Sequence, residues 1–148
     1  MIMNNQSFID ELLENKEYTT EPHTTWSKKI EALDGFIFVT PEYNNNIPSG
    51  LKDHIDYLGS EWHHKAAGIV SYGSTLGIAA SLALRTTLAN LKIAAVEPQG
   101  AFSLFNDFEH IAIFKPMEVH HKRLEELIDD VVAWSTALQS IRKSQVLA

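Results

Sequence analysis

Apolar residues fall along this chain in two textures. Short continuous runs, Phe36-Ile37-Phe38-Val39 and Ala67-Gly68-Ile69-Val70-Ser71, read as strands buried on both faces, as in a parallel sheet. The first is closed by Thr40-Pro41 and the second by the turn Gly73 to Gly77. A last strand, residues 93–96 and 101–105, is expected to be interrupted or bent around Pro98 and Gly100. Between the runs the apolar positions recur at helical spacing. Trp26, Ile30 and Leu33 mark a helix over 24–32; Leu51, Ile55 and Leu58 mark another, with Pro48 near its start and Gly59 past its end. An alanine-rich helix carries Leu84, Leu88 and Leu91, and a closing helix over 119–141 has Leu124, Leu127, Ile128, Val131, Leu138 and Ile141 as its inner stripe. Residues 4–25 are polar, with a short helical candidate at 7–15, where Ser7 suits an N-cap and Phe8, Leu12 and Leu13 share a face; 16–25 reads as loop.

Strands alternating with helices predict one α/β domain over residues 1–148, with a parallel sheet and helices on both faces. In such sheets ligands sit beyond the carboxyl ends of the strands. The loops there, residues 40–48 and 71–77, are the candidate site.

The first loop is Thr40-Pro41-Glu42-Tyr43-Asn44-Asn45-Asn46-Ile47-Pro48. Prolines stiffen both ends, and asparagine tolerates left-handed backbone while offering amide donors and acceptors. Such a loop presents a ring and amides to a flat polar heterocycle, or it is a rigid turn with no ligand. The second loop, Ser71-Tyr72-Gly73-Ser74-Thr75-Leu76-Gly77, opens a helix. Glycines allow close approach of a ligand to a helix N-terminus, yet many Gly-Ser turns only cap helices.

Composition narrows the classes. Twelve basic against 19 acidic residues give a net charge of −7 with no basic run, which argues against nucleic-acid binding. Cysteine is absent, excluding disulfides, thiolate catalysis and cysteine-ligated metals and fitting a cytoplasmic protein. No apolar run approaches the ~20 residues of a membrane helix, so no membrane partner is expected. Seven histidines include the adjacent pairs His63-His64 and His120-His121, whose spacing suits no metal site; none is assigned. Trp62 with His63, His64 and Lys65 reads as a cap near a ligand, a subunit contact or ordinary packing. Arg85 reads as a surface residue by default, and Glu125-Glu126 with Asp129-Asp130 as a solvated helix face. Ser71, Ser74 and His54 assemble no hydrolase elbow, and no catalytic acid, base or nucleophile is assigned.

Taken in order, several stretches resemble the NADPH-dependent FMN reductase family of the flavodoxin-like superfamily. They are Trp26, Pro41-Glu42-Tyr43-Asn44, Leu51-Lys52-Asp53-His54-Ile55-Asp56-Tyr57, Glu61-Trp62, Lys65-Ala66-Ala67-Gly68, Ser71-Tyr72-Gly73-Ser74 and Leu84-Arg85. Ser103-Leu104-Phe105-Asn106-Asp107-Phe108-Glu109, Phe114-Lys115-Pro116 and Val132-Ala133-Trp134-Ser135 continue the likeness. The resemblance implies a flavodoxin-like three-layer sandwich. It implies FMN as cofactor, NADPH or NADH as electron donor, and a flavin, quinone or similar acceptor. Pro41, Glu42, Tyr43, Asn44 and Asn45 would line one edge of the isoalloxazine ring, and Ser71, Tyr72, Gly73 and Ser74 the other. A homodimer or homotetramer is implied as well.

Leu76 stands where the family commonly has a second glycine before Gly77. The family's first strand–helix–strand, with its Gly-Ser-x-Arg-like phosphate loop, has no counterpart before Glu21, and no arginine precedes Arg85. In the flavodoxin strand order 2-1-3-4-5 the strand at 36–39 then becomes an edge, apolar on both faces, and is expected to be paired in the native assembly. Pairing would come from self-association, a separate polypeptide or a sequence that starts late. The resemblance points to an NAD(P)H-dependent FMN or quinone reductase. A flavin-binding electron carrier, or a flavin-free relative acting as an interaction subunit, is the alternative.

Overall fold

The computed structural model describes Tyr18 and residues 20–145. The helix expected at 7–15 lies outside them. A central parallel sheet of three strands has the order β1-β2-β3: β1 is Gly35–Pro41, β2 Ala66–Gly73 and β3 Ala94–Ser103. Helices α1 (Glu21–Glu31), α2 (Ser49–Asp56) and α3 (Ile78–Asn90) precede or join the strands, and α4 (His121–Gln145) closes the chain. A short antiparallel hairpin, β4 (Phe108–Glu109) and β5 (Ile113–Phe114), stands apart from the main sheet.

The first helix starts three residues earlier than its apolar spacing indicates, because Pro22 is preorganised for the first turn and Glu21 favours that end of the dipole. Its other end is capped from a distance. The buried Lys65 amine donates to the carbonyls of Ile30 (2.5 Å) and Glu31 (3.1 Å), where a cation complements the helix C-terminus. The buried Glu61 carboxylate accepts from the hydroxyls of Tyr18 and Ser27, each at 2.6 Å, tying the start of the described chain to the 3₁₀ turn Ser60–Trp62. Burial and this carboxylate push the Tyr18 phenol above its ordinary range. Trp62 is buried against Phe36, Phe38 and Trp26, so ordinary packing accounts for it.

The two faces of the sheet are unequal. The larger core joins Phe38 and Ile69 to Ile30, Ile55, Leu84 and Leu88. The smaller one sets Val96 against Leu127 and Val131 of α4. That helix packs close because Gly68 has no side chain: a Cβ there would lie 2.6 Å from Leu127 Cδ2. Of the expected inner stripe of α4, Leu127 and Val131 are buried, but Ile128 is 50% exposed and Ile141 points away too. The reason is position. Gln139 Nε2 donates to Asp34 (2.6 Å) and Arg142 pairs with the same carboxylate, which aligns the flank of α4 carrying Ile128 with the outer side of β1. No described element covers that side.

The last main strand is one element, bent rather than interrupted around Pro98. Its register slips there: Ala67 faces Ala95 and Ile69 faces Gln99, so a bulge at 96–98 absorbs Pro98. Arg85 is no idle surface residue, since its guanidinium donates to the bulge carbonyls of Val96 (2.9 Å) and Glu97 (3.3 Å). Among the described residues β1 pairs only with β2, and it presents Ile37 (46% exposed) and Val39 (61%) beside the uncovered flank of α4. The expected apolar edge is present.

Gly68→Ala should lower stability by about 1–3 kcal/mol, the usual cost of overpacking. A urea titration that leaves the midpoint unchanged would disprove the close seat of α4.

Candidate functional site

Loops leaving the carboxyl ends of β1, β2 and β3 meet at one end of the sheet. In the first, Tyr43 and Asn46 exchange backbone bonds (2.9 and 3.0 Å) around Asn44 and Asn45, whose φ values are 51° and 61°. Two successive left-handed residues make a type I′ turn, which asparagine adopts at low cost. The tip is solvent-facing: Tyr43, Asn44 and Asn45 are exposed, and their side chains find no hydrogen-bond partner among the described residues.

The second loop is bent by left-handed Leu76 (φ 64°) and Gly77 (φ 68°). Gly77 is obligatory there, since a Cβ would stand 2.7 Å from Ser71 Cβ and 2.8 Å from the Tyr72 nitrogen. Leu76 is a β-carbon residue in a glycine conformation, a strain of about 1–2 kcal/mol. Ser71 is fully buried beneath the loop; its hydroxyl donates to the Leu76 carbonyl (2.8 Å) and accepts from Gln99 Nε2 (3.4 Å).

One carboxylate joins the two loops. Glu42 Oε2 accepts from the backbone nitrogens of Ala79 (2.9 Å) and Ala80 (3.3 Å), in the first turn of α3, and Oε1 accepts from Thr75 Oγ1 (3.3 Å). The Glu42 nitrogen also donates to the Tyr72 carbonyl (3.0 Å). An anion on free N–H groups at a helix N-terminus is the favourable place for it. The α3 N-terminus therefore already holds a carboxylate of the chain itself. The third loop is tied in where Leu104 N donates to the Gly73 carbonyl (3.1 Å).

The nine residues picked out by sequence thus come together but divide by task. Tyr43, Asn44, Asn45 and Ser74 form an exposed ledge, with the Tyr72 ring half-buried beside it. Glu42, Ser71 and Gly73 hold the ledge from within, and Pro41 ends the strand at its base. Sequence reasoning missed Thr75, Gln99 and Leu104, which bond residues distant in sequence (Glu42, Ser71 and Gly73), and it missed the Asp107 anchor. Asp107 is 1% exposed. Burial alone would raise its carboxyl, but bonds from Ser103 N, Met117 N and His120 outweigh burial and hold it below the usual aspartate range. Its signal was faint: an acidic residue between Phe105 and Phe108.

A flat polar ring fits this ledge, with its unpaired amides, a tyrosine and turn backbone at the strand ends. Neither loop carries a basic side chain, so the residues of the ledge suit the ring of FMN rather than its phosphate. Grooves of about 630 and 670 Å³ lie elsewhere, one against α1 around His23, Trp26 and Tyr57, the other along β1. The second is lined mainly by apolar packing residues, the first by polar and aromatic ones, and neither includes a residue of the ledge. Among the described residues no group of three metal-ligating side chains forms, and no helix is long and apolar enough to cross a membrane.

The sequence profile of NADPH-dependent FMN reductase matches residues 2–107. The chain belongs to that family. An NAD(P)H-dependent FMN reductase of Saccharomyces cerevisiae is 36% identical over 118 residues, covering 76% of this chain and 59% of the yeast protein. A second, from Schizosaccharomyces pombe, is 36% identical over 110 residues, 74% of this chain and 55% of that protein. The chain thus spans little more than half the length of these relatives. Among solved structures, the NAD(P)H:acceptor oxidoreductase FerB of Paracoccus denitrificans superposes with a TM-score of 0.56 at 18% identity, over 82% of this chain and 70% of that one. This likeness shows the fold, the flavodoxin-like α/β sandwich expected from sequence. In this FMN reductase family member the exposed and the buried halves of the two loops are held by different residues, so they separate experimentally.

Glu42→Ala should remove the α3 cap and lower stability by about 1–2 kcal/mol, read as a fall in thermal midpoint. Leu76→Gly should raise stability by about 0.5–1 kcal/mol, relief of left-handed strain exceeding the added chain entropy; a lowered midpoint would refute the assigned backbone.

Proposed function

We propose that this chain is the ring-binding part of an NAD(P)H-dependent FMN or quinone reductase. The observation that carries the reading is the ledge itself. Unpaired Tyr43, Asn44, Asn45 and Ser74 stand at the carboxyl ends of parallel strands, in a member of the FMN reductase family. Its similarity to FMN reductases, and to a quinone reductase of Pseudomonas putida at 36% identity over 111 residues, supports the donor and the acceptor class. When bound, FMN supplies a ring able to take hydride from a nicotinamide and return electrons to an acceptor. The protein's part is positional. The type I′ turn would offer the Tyr43 ring and the asparagine amides to one edge of the isoalloxazine. Tyr72, Gly73 and Ser74 would contact the other edge. Glu42 keeps the two at fixed separation. Proton transfer by a protein side chain has no candidate at the ledge.

We further infer a homodimer or homotetramer acting in the cytoplasm. Ile37 and Val39 on β1, with Ile128 and Val132 on α4, are exposed apolar positions on one side of an edge strand, a surface that favours pairing. The same edge, with the lack of basic residues in the loops, favours the second reading, a flavin-free interaction subunit.

The purified chain should quench flavin fluorescence saturably near one FMN per chain and then oxidise NAD(P)H. Asn44→Gly with Tyr43→Ala should weaken binding about tenfold with little change in the thermal midpoint, since glycine also accepts the left-handed turn position. Absence of saturable binding would remove the reductase reading and leave the interaction subunit.

A further inference from the structure

The hairpin that follows β3 is held in an unusual way. Its ladder has only two pairs, Phe108 with Phe114 and Glu109 with Ile113, closed by the left-handed residues His110 and Ile111. So short a ribbon has little stability of its own. It also buries little: Phe105 (66%), Ile113 (59%) and Phe114 (53%) are exposed. Yet both its ends converge on one buried carboxylate. Asp107 Oδ2 accepts from Ser103 N (2.8 Å) before the hairpin, and Oδ1 accepts from Met117 N (3.2 Å) after it. His120 Nε2 donates to the same Oδ1 (2.8 Å), and the Asp107 carbonyl accepts from Lys115 N (2.8 Å).

Rings run from this anchor to the ledge in contact distance. His120 lies 4.6 Å from Phe102, Phe102 5.1 Å from Phe114, Phe114 5.2 Å from Phe108, and Phe108 5.8 Å from Tyr72. Desolvating a carboxylate is costly unless it is paired and hydrogen-bonded, and here the partners that offset the cost lie at the two ends of the hairpin. Global stability gains little from a hairpin so exposed, whereas the position of Phe108 against Tyr72 depends on it.

We propose that Asp107 and His120 are positioning residues of the ring site, holding the Phe108 hairpin as the wall that fixes Tyr72 at the edge of the bound flavin. The inference rests on the proposed FMN reading. Without His120 or the Asp107 carboxylate the hairpin detaches, Tyr72 loses its aromatic neighbour, and the ring loop it belongs to is no longer braced from the β3 side.

The test compares His120→Ala, Asp107→Asn and His120→Gln in the full chain, by thermal midpoint, amide hydrogen exchange over 104–117 and FMN titration. His120→Ala and Asp107→Asn should keep a cooperative transition, lose hairpin protection at least tenfold and raise the FMN dissociation constant about tenfold. They should also alter the visible circular dichroism of the bound flavin. His120→Gln, whose amide can still donate to Asp107, should restore all three. Unchanged FMN affinity despite lost hairpin protection would overturn the proposal, as would hairpin protection that survives His120→Ala. Should the wild-type chain bind no FMN, the functional reading fails separately. The bracing claim is then decided by exchange at Leu104, whose amide bonds the Gly73 carbonyl: faster exchange in His120→Ala sustains it and unchanged exchange overturns it.

Discussion

A single carboxylate organises the end of the sheet. Glu42 leaves β1 and reaches across to the first turn of α3, where its oxygen accepts from two backbone nitrogens that the helix leaves unpaired. Two costs cancel in that contact. The helix start would otherwise bury donors without acceptors, and the loop would otherwise have no fixed place over β2. Because the same residue bonds the Tyr72 carbonyl through its own nitrogen, the first and second loops move as one body. The exposed tip then needs no further support, and Asn44 and Asn45 keep their amides free of the protein. A helix N-terminus is a ready anion site, and here the chain itself supplies the anion.

The rest of the sheet shows how far packing alone carries the fold. On one face α1, α2 and α3 bury a continuous core; on the other, α4 covers β2 and β3 and leaves the outer side of β1 bare. Phe36 and Phe38 point into the large core, whereas Ile37 and Val39, one residue out of phase, point to the bare side. The alternation of a strand thus divides one apolar run into a stabilising half and an adhesive half. Polar ties compensate at the base of the strand, where Asp34 binds Gln139 and Arg142. They keep α4 aligned with an edge that hydrophobic contact does not seal.

What sequence revealed follows the range of each interaction. Strands appeared because burial on both faces writes an unbroken apolar run, and the two ring loops because proline, glycine and asparagine announce turns. The start of the first helix was read three residues late, since Glu21 and Pro22 carry no apolar signal. Around Pro98, where an interruption or a bend is expected, the strand bulges and continues, because Arg85, more than ten residues upstream, satisfies the carbonyls that the slip exposes. Ile128 was assigned inward by periodicity, which gives a helix its stripe but not the extent of the layer beneath it. The Pro41-Glu42-Tyr43-Asn44 motif singles out Glu42, but only the fold shows that its carboxylate faces the first turn of α3.

Glu42 and Asp107 obey one rule. Each is a carboxylate bonded mainly to backbone nitrogens, Glu42 to those of α3 and Asp107 to those on either side of its hairpin, and each fixes a loop whose apolar burial is too small to fix itself. Such bonds are charge-assisted and directional, so they determine position more sharply than dispersion contacts of the same area. They also leave the ligand-facing residues unencumbered. A site built this way has its rigidity beneath the surface and its chemistry on it. Substitutions at the buried anchors should therefore change where the ledge stands, and those on the ledge should change what it holds. The two effects are separable because no hydrogen bond among the described residues joins the Asn44 or Asn45 side chains to either anchor.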